Sequence, residues 1–186
     1  MLRPNGRQPC IILLTGAVGA GKSTAASRAL KLLAPVRYGG FTTHSVMEKG
    51  VLSVYICACD GSSPLDDAHR IGIRHGAGRF TAFPEVFETT GLTLLEQIPT
   101  NTELLLFDEL GIMENGAPRF AKAVLAALSG PLPALCVIKP KPSPLLDAVR
   151  ALPESVLIEV TPQNRNTLPA RIAAYLRQSV CDKEQV

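Results

Sequence analysis

Tryptophan is absent from the chain and only three tyrosines occur, so it lacks the aromatic platforms on which single-stranded nucleic acid stacks. It also lacks a long basic run, and its formal net charge is only +3. That excess suits a polyphosphate ligand as well as no ligand, and it marks no clear nucleic-acid site. The five cysteines, at positions 10, 57, 59, 136 and 181, follow no framework spacing, so reduced thiols are expected rather than disulfide staples. Cys57 and Cys59 would share one face of a strand, but no second pair and no well-spaced histidine complete a zinc site. No apolar stretch approaches the ~20 residues of a membrane-spanning helix. Arg3 and Arg7 ahead of the apolar run Cys10–Leu14 imitate a signal peptide, yet Gly16, Gly19 and Lys22 break the pattern and no cleavage site follows. The expectation is a cytoplasmic protein.

What is present is an ordinary globular balance: 186 residues, 46% hydrophobic and 19% charged, enough for one core and one domain over 1–186. Short apolar runs alternate with helical patterns. Cys10–Leu14, Leu104–Phe107 and Ala134–Ile138 read as strands buried on both faces, and Val156–Val160 as a fourth strand. Helices are expected over Lys22–Leu33, Glu85–Ile98, Ala117–Leu128, Pro144–Leu152 and Thr167–Gln178. Phe41–His44 and Val51–Cys57 flank a Met47–Gly50 turn and read as an antiparallel hairpin. Ala58–Pro84 carries four glycines and no sustained period, and reads as a long loop. The class is α/β: a mostly parallel sheet covered by helices on both faces, with a hairpin added.

Between the first strand and the first helix lies Gly16-Ala17-Val18-Gly19-Ala20-Gly21-Lys22-Ser23, followed by Thr24. This is the G-x-x-x-x-G-K-[ST] pattern in its proper strand–helix context. Glycines admit positive φ and let the backbone approach phosphates closely. Successive N–H groups form an anion nest at the positive end of the helix. Lys22 would reach the β- and γ-phosphates, and Ser23 would ligate Mg²⁺. A second carboxylate is then needed at a neighbouring strand's carboxyl end. Asp108, directly after Leu104–Phe107, takes that place as the metal-shell residue, and Glu109 suits a carboxylate that polarises water. Lys139 and Lys141 follow another strand, where they either face the phosphates or stand in solvent.

Behind the P-loop come Gly39-Gly40-Phe41-Thr42-Thr43, then Asp108-Glu109-Leu110-Gly111-Ile112-Met113-Glu114, then Thr161-Pro162-Gln163-Asn164-Arg165-Asn166. With these motifs the chain resembles, over nearly its whole length, the small nucleoside-triphosphatase family first named from thermophiles. The resemblance implies a RecA-like P-loop NTPase sheet with an inserted hairpin, and slow Mg²⁺-dependent hydrolysis of several nucleoside triphosphates, ATP among them. It implies nucleotide contacts over Gly16–Thr24, at Asp108, Glu109 and Gly111, and at Asn164 and Arg165. Arg165 would either stabilise the departing γ-phosphate or face solvent at a helix start. Glu114 would be a water-ordering or a structural carboxylate. The family's Glu and Arg positions around the hairpin are here His44, Met47, Val51 and Leu52. Arg70, Arg74 and Arg79 stand as replacements for the missing arginines or as a solvated basic loop, and of the histidines His44 alone merits testing.

Three functions stay open on the residues. The leading one is an NTP phosphohydrolase with Lys22, Glu109 and Arg165 catalytic. The second is a small-molecule or nucleotide kinase, and the third a nucleotide switch that needs a protein partner. The Asn-Lys-x-Asp guanine signature is absent, which argues against a Ras-like switch without selecting a base.

Overall fold

The computed structural model describes residues 11–153 and 155–181. Arg3, Arg7 and Cys10 lie outside the described residues. In chain order the elements are β1 (Ile11–Thr15), α1 (Lys22–Leu33), β2 (Tyr38–Glu48), β3 (Val51–Ala58), β4 (Arg70–His75), β5 (Thr81–Ala82), α2 (Pro84–Val86), a π-helical turn (Phe87–Gly91), α3 (Leu92–Glu96), β6 (Leu104–Leu110), α4 (Pro118–Leu128), β7 (Ala134–Ile138), α5 (Pro144–Arg150), β8 (Ser155–Glu159) and α6 (Leu168–Cys181). The strands form one sheet in the order β5-β4-β3-β2-β6-β7-β1-β8. The five strands from β2 to β8 in that order pair in parallel, and β3, β4 and β5 continue the sheet as an antiparallel meander.

The central strands are apolar throughout because both of their faces are covered. Alternation along β1 and β6 divides the interior in two. Ile11, Leu13, Leu105 and Phe107 pack with α3, α4 and α5, whereas Ile12, Leu14, Leu104 and Leu106 pack with α1 and α6. Phe107 stacks on Phe41 with ring centroids 4.9 Å apart, and Phe120 of α4 closes on both Phe41 and Phe87. Among the described residues no helix is long and apolar enough to cross a membrane.

Three expectations change. The segment 58–84 is not one loop: it supplies β4 and β5, because Arg70–His75 carries enough alternation to pair with β3 even without a strong local strand signal. The hairpin is longer than its Phe41–His44 core suggested, since β2 runs to Glu48 and turns through Lys49 (φ 47°) and Gly50 (φ 77°). That two-residue turn is the one expected. The helix read over Glu85–Ile98 is present without interruption from Pro84 to Glu96, but it widens into a π turn at Phe87–Gly91 between α2 and α3. Phe120 packs so close to Gly91 that a Cβ there would lie 2.9 Å from its ring.

Pairing of β2 with β6 sets Thr42 opposite Asp108, and it depends on Gly40. This residue has φ +132°, and a Cβ on it would lie 2.2 Å from the Leu106 carbonyl oxygen. Gly40→Ala is expected to cost about 3 kcal/mol or more, through positive φ and backbone overlap together. Denaturant unfolding of the variant would check this, and unchanged stability would show that β2 and β6 do not approach so closely.

Candidate active site

The cradle sits between β1 and α1. Gly16, Gly19 and Gly21 have φ values of 141°, 76° and 99°, so three of the run's residues occupy conformations that side chains resist. Gly16 is held against β8, where a Cβ would meet the Val160 carbonyl oxygen at 2.6 Å, while a Cβ on Gly19 would meet nothing within 4 Å. One glycine therefore anchors the loop and another leaves its concavity open. Gly21 is the N-cap of α1, and the helix presents its first N–H groups there. Lys22 folds back over the loop and donates to the carbonyls of Gly16 and Ala17, 3.2 Å each.

Two carboxylates arrive from β6. Between Asp108 and Leu110 the pairing with β7 slips by one residue, so Glu109 is an extra residue in the ladder. The slip restores Leu110 to the face of Phe107, where it is fully buried. Asp108 faces α1 and accepts a 2.9 Å hydrogen bond from the Ser23 hydroxyl. Glu109 lies between two ammonium groups, 3.5 Å from Lys22 Nζ and 3.3 Å from Lys139 Nζ. Lys139, left open by the sequence, thus belongs to the site. The signal for it was its place directly after a fully buried strand, at the same sheet edge as the P-loop.

The carboxyl pKa of Asp108 is pushed up to about 6 by burial, against the pull of the Ser23 hydrogen bond; Glu109 adds to the rise, and Lys22 and His44 oppose it. His44, whose Nε2 lies 3.1 Å from Thr42 Oγ1, is therefore close enough to act on Asp108 through its charge. Cys59, near the same face, has its thiol pushed up to about 12 by burial and then by Asp60 and Asp108, and as a neutral thiol it is a poor nucleophile.

Glu114 is 3% exposed and accepts the Gly111 N–H with both oxygens, at 3.0 and 3.1 Å. Its role is structural: it fixes the turn after β6. Gly111 in turn lies against the Lys139 stem, since a Cβ there would be 3.1 Å from Cδ. Asn164 is likewise committed to backbone, accepting from Thr161 N–H and donating to the Glu159 carbonyl. It shapes the turn beyond β8 and so sets the place of Arg165. The Arg165 side chain reaches the cradle, with Cδ 3.7 Å from where a Gly21 Cβ would be.

Above the sheet edge is a cavity of about 800 Å³ that joins the cradle to the projecting hairpin. Lys22, Ser23 and Thr24 line its floor, Glu109 and Lys139 its side, and the hairpin face its far wall. Arg74 faces into it, whereas Arg70 is turned to Asp67 and over the Tyr55 ring. Asp66 pairs with His69 at 2.7 Å at the exposed surface. Among the described residues no cluster of three or more His, Cys, Asp or Glu forms a metal site. Ser23 with Asp108 nonetheless fits Mg²⁺. Both donors are oxygen, which suits a hard cation, and the open Gly19 concavity beside them has room for the phosphates that would complete its shell.

A family model described as NTPase matches residues 11–173. The chain is similar to the nucleoside-triphosphatase THEP1 of Thermofilum pendens, 30% identical over 174 residues that cover 90% of this chain and 96% of that protein. The Methanosarcina barkeri protein of the same name is 29% identical over 173 residues, with 90% and 97% covered. Among solved structures, THEP1 from Aquifex aeolicus superposes with a TM-score of 0.71 at 24% identity, covering 89% of this chain and 98% of that one. A human cancer-related nucleoside triphosphatase superposes with a TM-score of 0.65 at 26% identity, covering 97% and 99%. The P-loop NTPase fold expected from the motifs is the fold observed.

The raised Asp108 pKa fixes a sign. Its stabilising contribution is complete below the ordinary carboxylate value of about 3.9 and is lost as pH rises through about 6. Above that, the buried carboxylate costs the nucleotide-free fold up to about 3 kcal/mol. Asp108→Asn is expected to raise the melting temperature by roughly 3–8 °C near pH 8, with little change near pH 4, where the carboxyl is still largely protonated in the folded chain. Melting curves at the two pH values would check it, and a variant no more stable near pH 8 would contradict the burial argument.

Proposed function

The chain belongs to the NTPase family, and on that premise we propose that it is a Mg²⁺-dependent phosphohydrolase that cleaves nucleoside triphosphates to diphosphate and phosphate. The observation that carries the mechanism is Glu109, held between Lys22 and Lys139 at the mouth of the P-loop. A triphosphate entering the cradle offers Lys22 better acceptors than the Gly16 and Ala17 carbonyls, because phosphate oxygens are charged. As Lys22 turns to them it releases one oxygen of Glu109, which then accepts a proton from water aimed at the γ-phosphorus. Lys139 keeps hold of the other oxygen, so the carboxylate stays oriented throughout.

Lys22 offsets the charge that builds on the bridging oxygen as the bond to γ-phosphorus breaks. Arg165, reaching over Gly21, adds positive charge on the opposite side of the loop. Mg²⁺, held by the Ser23 hydroxyl and Asp108, would neutralise the β- and γ-phosphate oxygens when bound. Gly16–Thr24 supply backbone donors, and Gly111 and the Asn164 turn supply shape. Bare P-loop switches turn over at only ~10⁻⁴–10⁻² s⁻¹ without an arginine supplied in trans, so slow intrinsic turnover is expected here.

Two substitutions test this reading by phosphate release from a panel of nucleoside triphosphates with Mg²⁺. Lys22→Ala is expected to weaken triphosphate binding and abolish turnover, and normal turnover would rule out the P-loop assignment. Glu109→Gln is expected to keep nucleotide binding within a few-fold while release falls roughly 10²–10⁴-fold. A Gln variant that still hydrolyses at the normal rate would move the proton-accepting role to another group.

A further inference from the structure

The cavity of about 800 Å³ does not end at the cradle floor of Gly19, Lys22, Ser23 and Thr24, which a triphosphate would cover, but continues past Glu109 and Lys139 to the hairpin. Its height comes from the meander. Thr42 pairs with Asp108 at the sheet edge, and the rung Met47–Leu52–Arg74 stands five residues further along β2. At ~3.3 Å per residue that rung is about 16 Å beyond the edge.

The face of the meander turned to the cavity presents Thr43, Ser45, Leu52, Val54 and Arg74, with the Phe80 ring laid across it. Gly72 makes room for that ring: a Cβ there would lie 2.3 Å from it. Arg74 brings its guanidinium to the same wall, with Nε buried. The side chains lining the cavity include four cations, Lys22, Lys139, Lys141 and Arg74, against one carboxylate, Glu109. A Mg²⁺-bound triphosphate neutralises only part of that excess. The space therefore offers an apolar and aromatic wall, two hydroxyls, an arginine and residual positive charge.

We infer that this cavity is an acceptor site for a nucleoside monophosphate, to which the γ-phosphoryl group passes in place of water. The inference rests on the nucleotide-binding reading above. The acceptor's phosphate lies at the Lys139 and Lys141 end, its base packs on Phe80, Leu52 and Val54, and Arg74 donates to the base edge. Arginine there favours keto bases, whose carbonyl oxygens accept, over amino-substituted edges, which donate. An acceptor phosphate oxygen forms the new bond to the γ-phosphorus. The bond from that phosphorus to the β–γ bridging oxygen breaks, and its electron pair leaves on the donor diphosphate. A triphosphate and a monophosphate thus give two diphosphates, with no water consumed.

The test follows the label from [γ-³²P]ATP in the full chain with Mg²⁺ and each 5′-monophosphate of guanosine, uridine, thymidine, adenosine and cytidine. Label is expected in the acceptor diphosphate, with inorganic phosphate falling as acceptor rises, and keto bases are expected to be used best. Arg74→Gln should raise the half-saturating concentration of the best acceptor about tenfold and level the base preference. Phe80→Ala should raise it for every base. Label confined to inorganic phosphate with every acceptor, at a rate that millimolar monophosphate does not slow, would overturn the acceptor site and leave the hydrolase intact. Failure to bind or cleave ATP at all would overturn both readings.

Discussion

An ammonium group buried at the meeting of three strand ends is the constraint around which the rest is arranged. Lys22 is 8% exposed, and a lysine so placed is costly unless its charge is answered. Two P-loop carbonyls and Glu109 answer it. Each partner comes from a different place: the loop after β1, the end of β6 and, through the shared carboxylate, Lys139 after β7. The parallel order of those strands is therefore what makes the charge tolerable, and the same charge is what a triphosphate would use.

The end of β6 does two things that conflict in a regular strand. Asp108 must face α1 to meet Ser23, and Leu110 must face the opposite core to stay dry. A strand with strict period two would send both to the same side. The one-residue slip at Glu109 resolves this, placing a second carboxylate at the sheet edge without giving up the burial of Leu110. The neighbouring turn is fixed by Glu114, whose burial raises its pKa while the Gly111 N–H pulls it back. The carboxylates near the cradle thus divide their work. Asp108 and Glu109 face the site, and Glu114 holds the backbone that carries them.

The meander on the other flank accounts for the size of the site. Beyond Thr42, β2 has left β6 and stands above the sheet edge with β3, β4 and β5. Its cavity face is polar near the cradle, through Thr43 and Ser45, and apolar further out, through Leu52, Val54 and Phe80. Positions where the family resemblance led to arginine and glutamate on the hairpin are partly apolar here, while Arg74 on the next strand brings a guanidinium to the same wall.

The sequence by itself determined the parts whose physics is local. The P-loop is legible because glycine spacing, lysine and serine act within eight consecutive residues, and the buried strands are legible because both faces are apolar. Asp108 and Glu109 could be placed at a strand's carboxyl end by the same reasoning, and the Lys49-Gly50 turn by a glycine between two strand patterns. Only the tertiary structure decided the rest. β4 and β5 carry weak strand patterns and exist because β3 offers a paired edge, so residues 70–82 read as loop. The π turn within the 85–98 helix lies where Phe120, a residue far along the chain, closes on Gly91. Lys139 and Arg74 join the site because strand order brings their segments to one edge. Partners so distant in sequence leave no periodic or spacing signal, and side-chain direction at a strand end depends on which neighbour the strand finds.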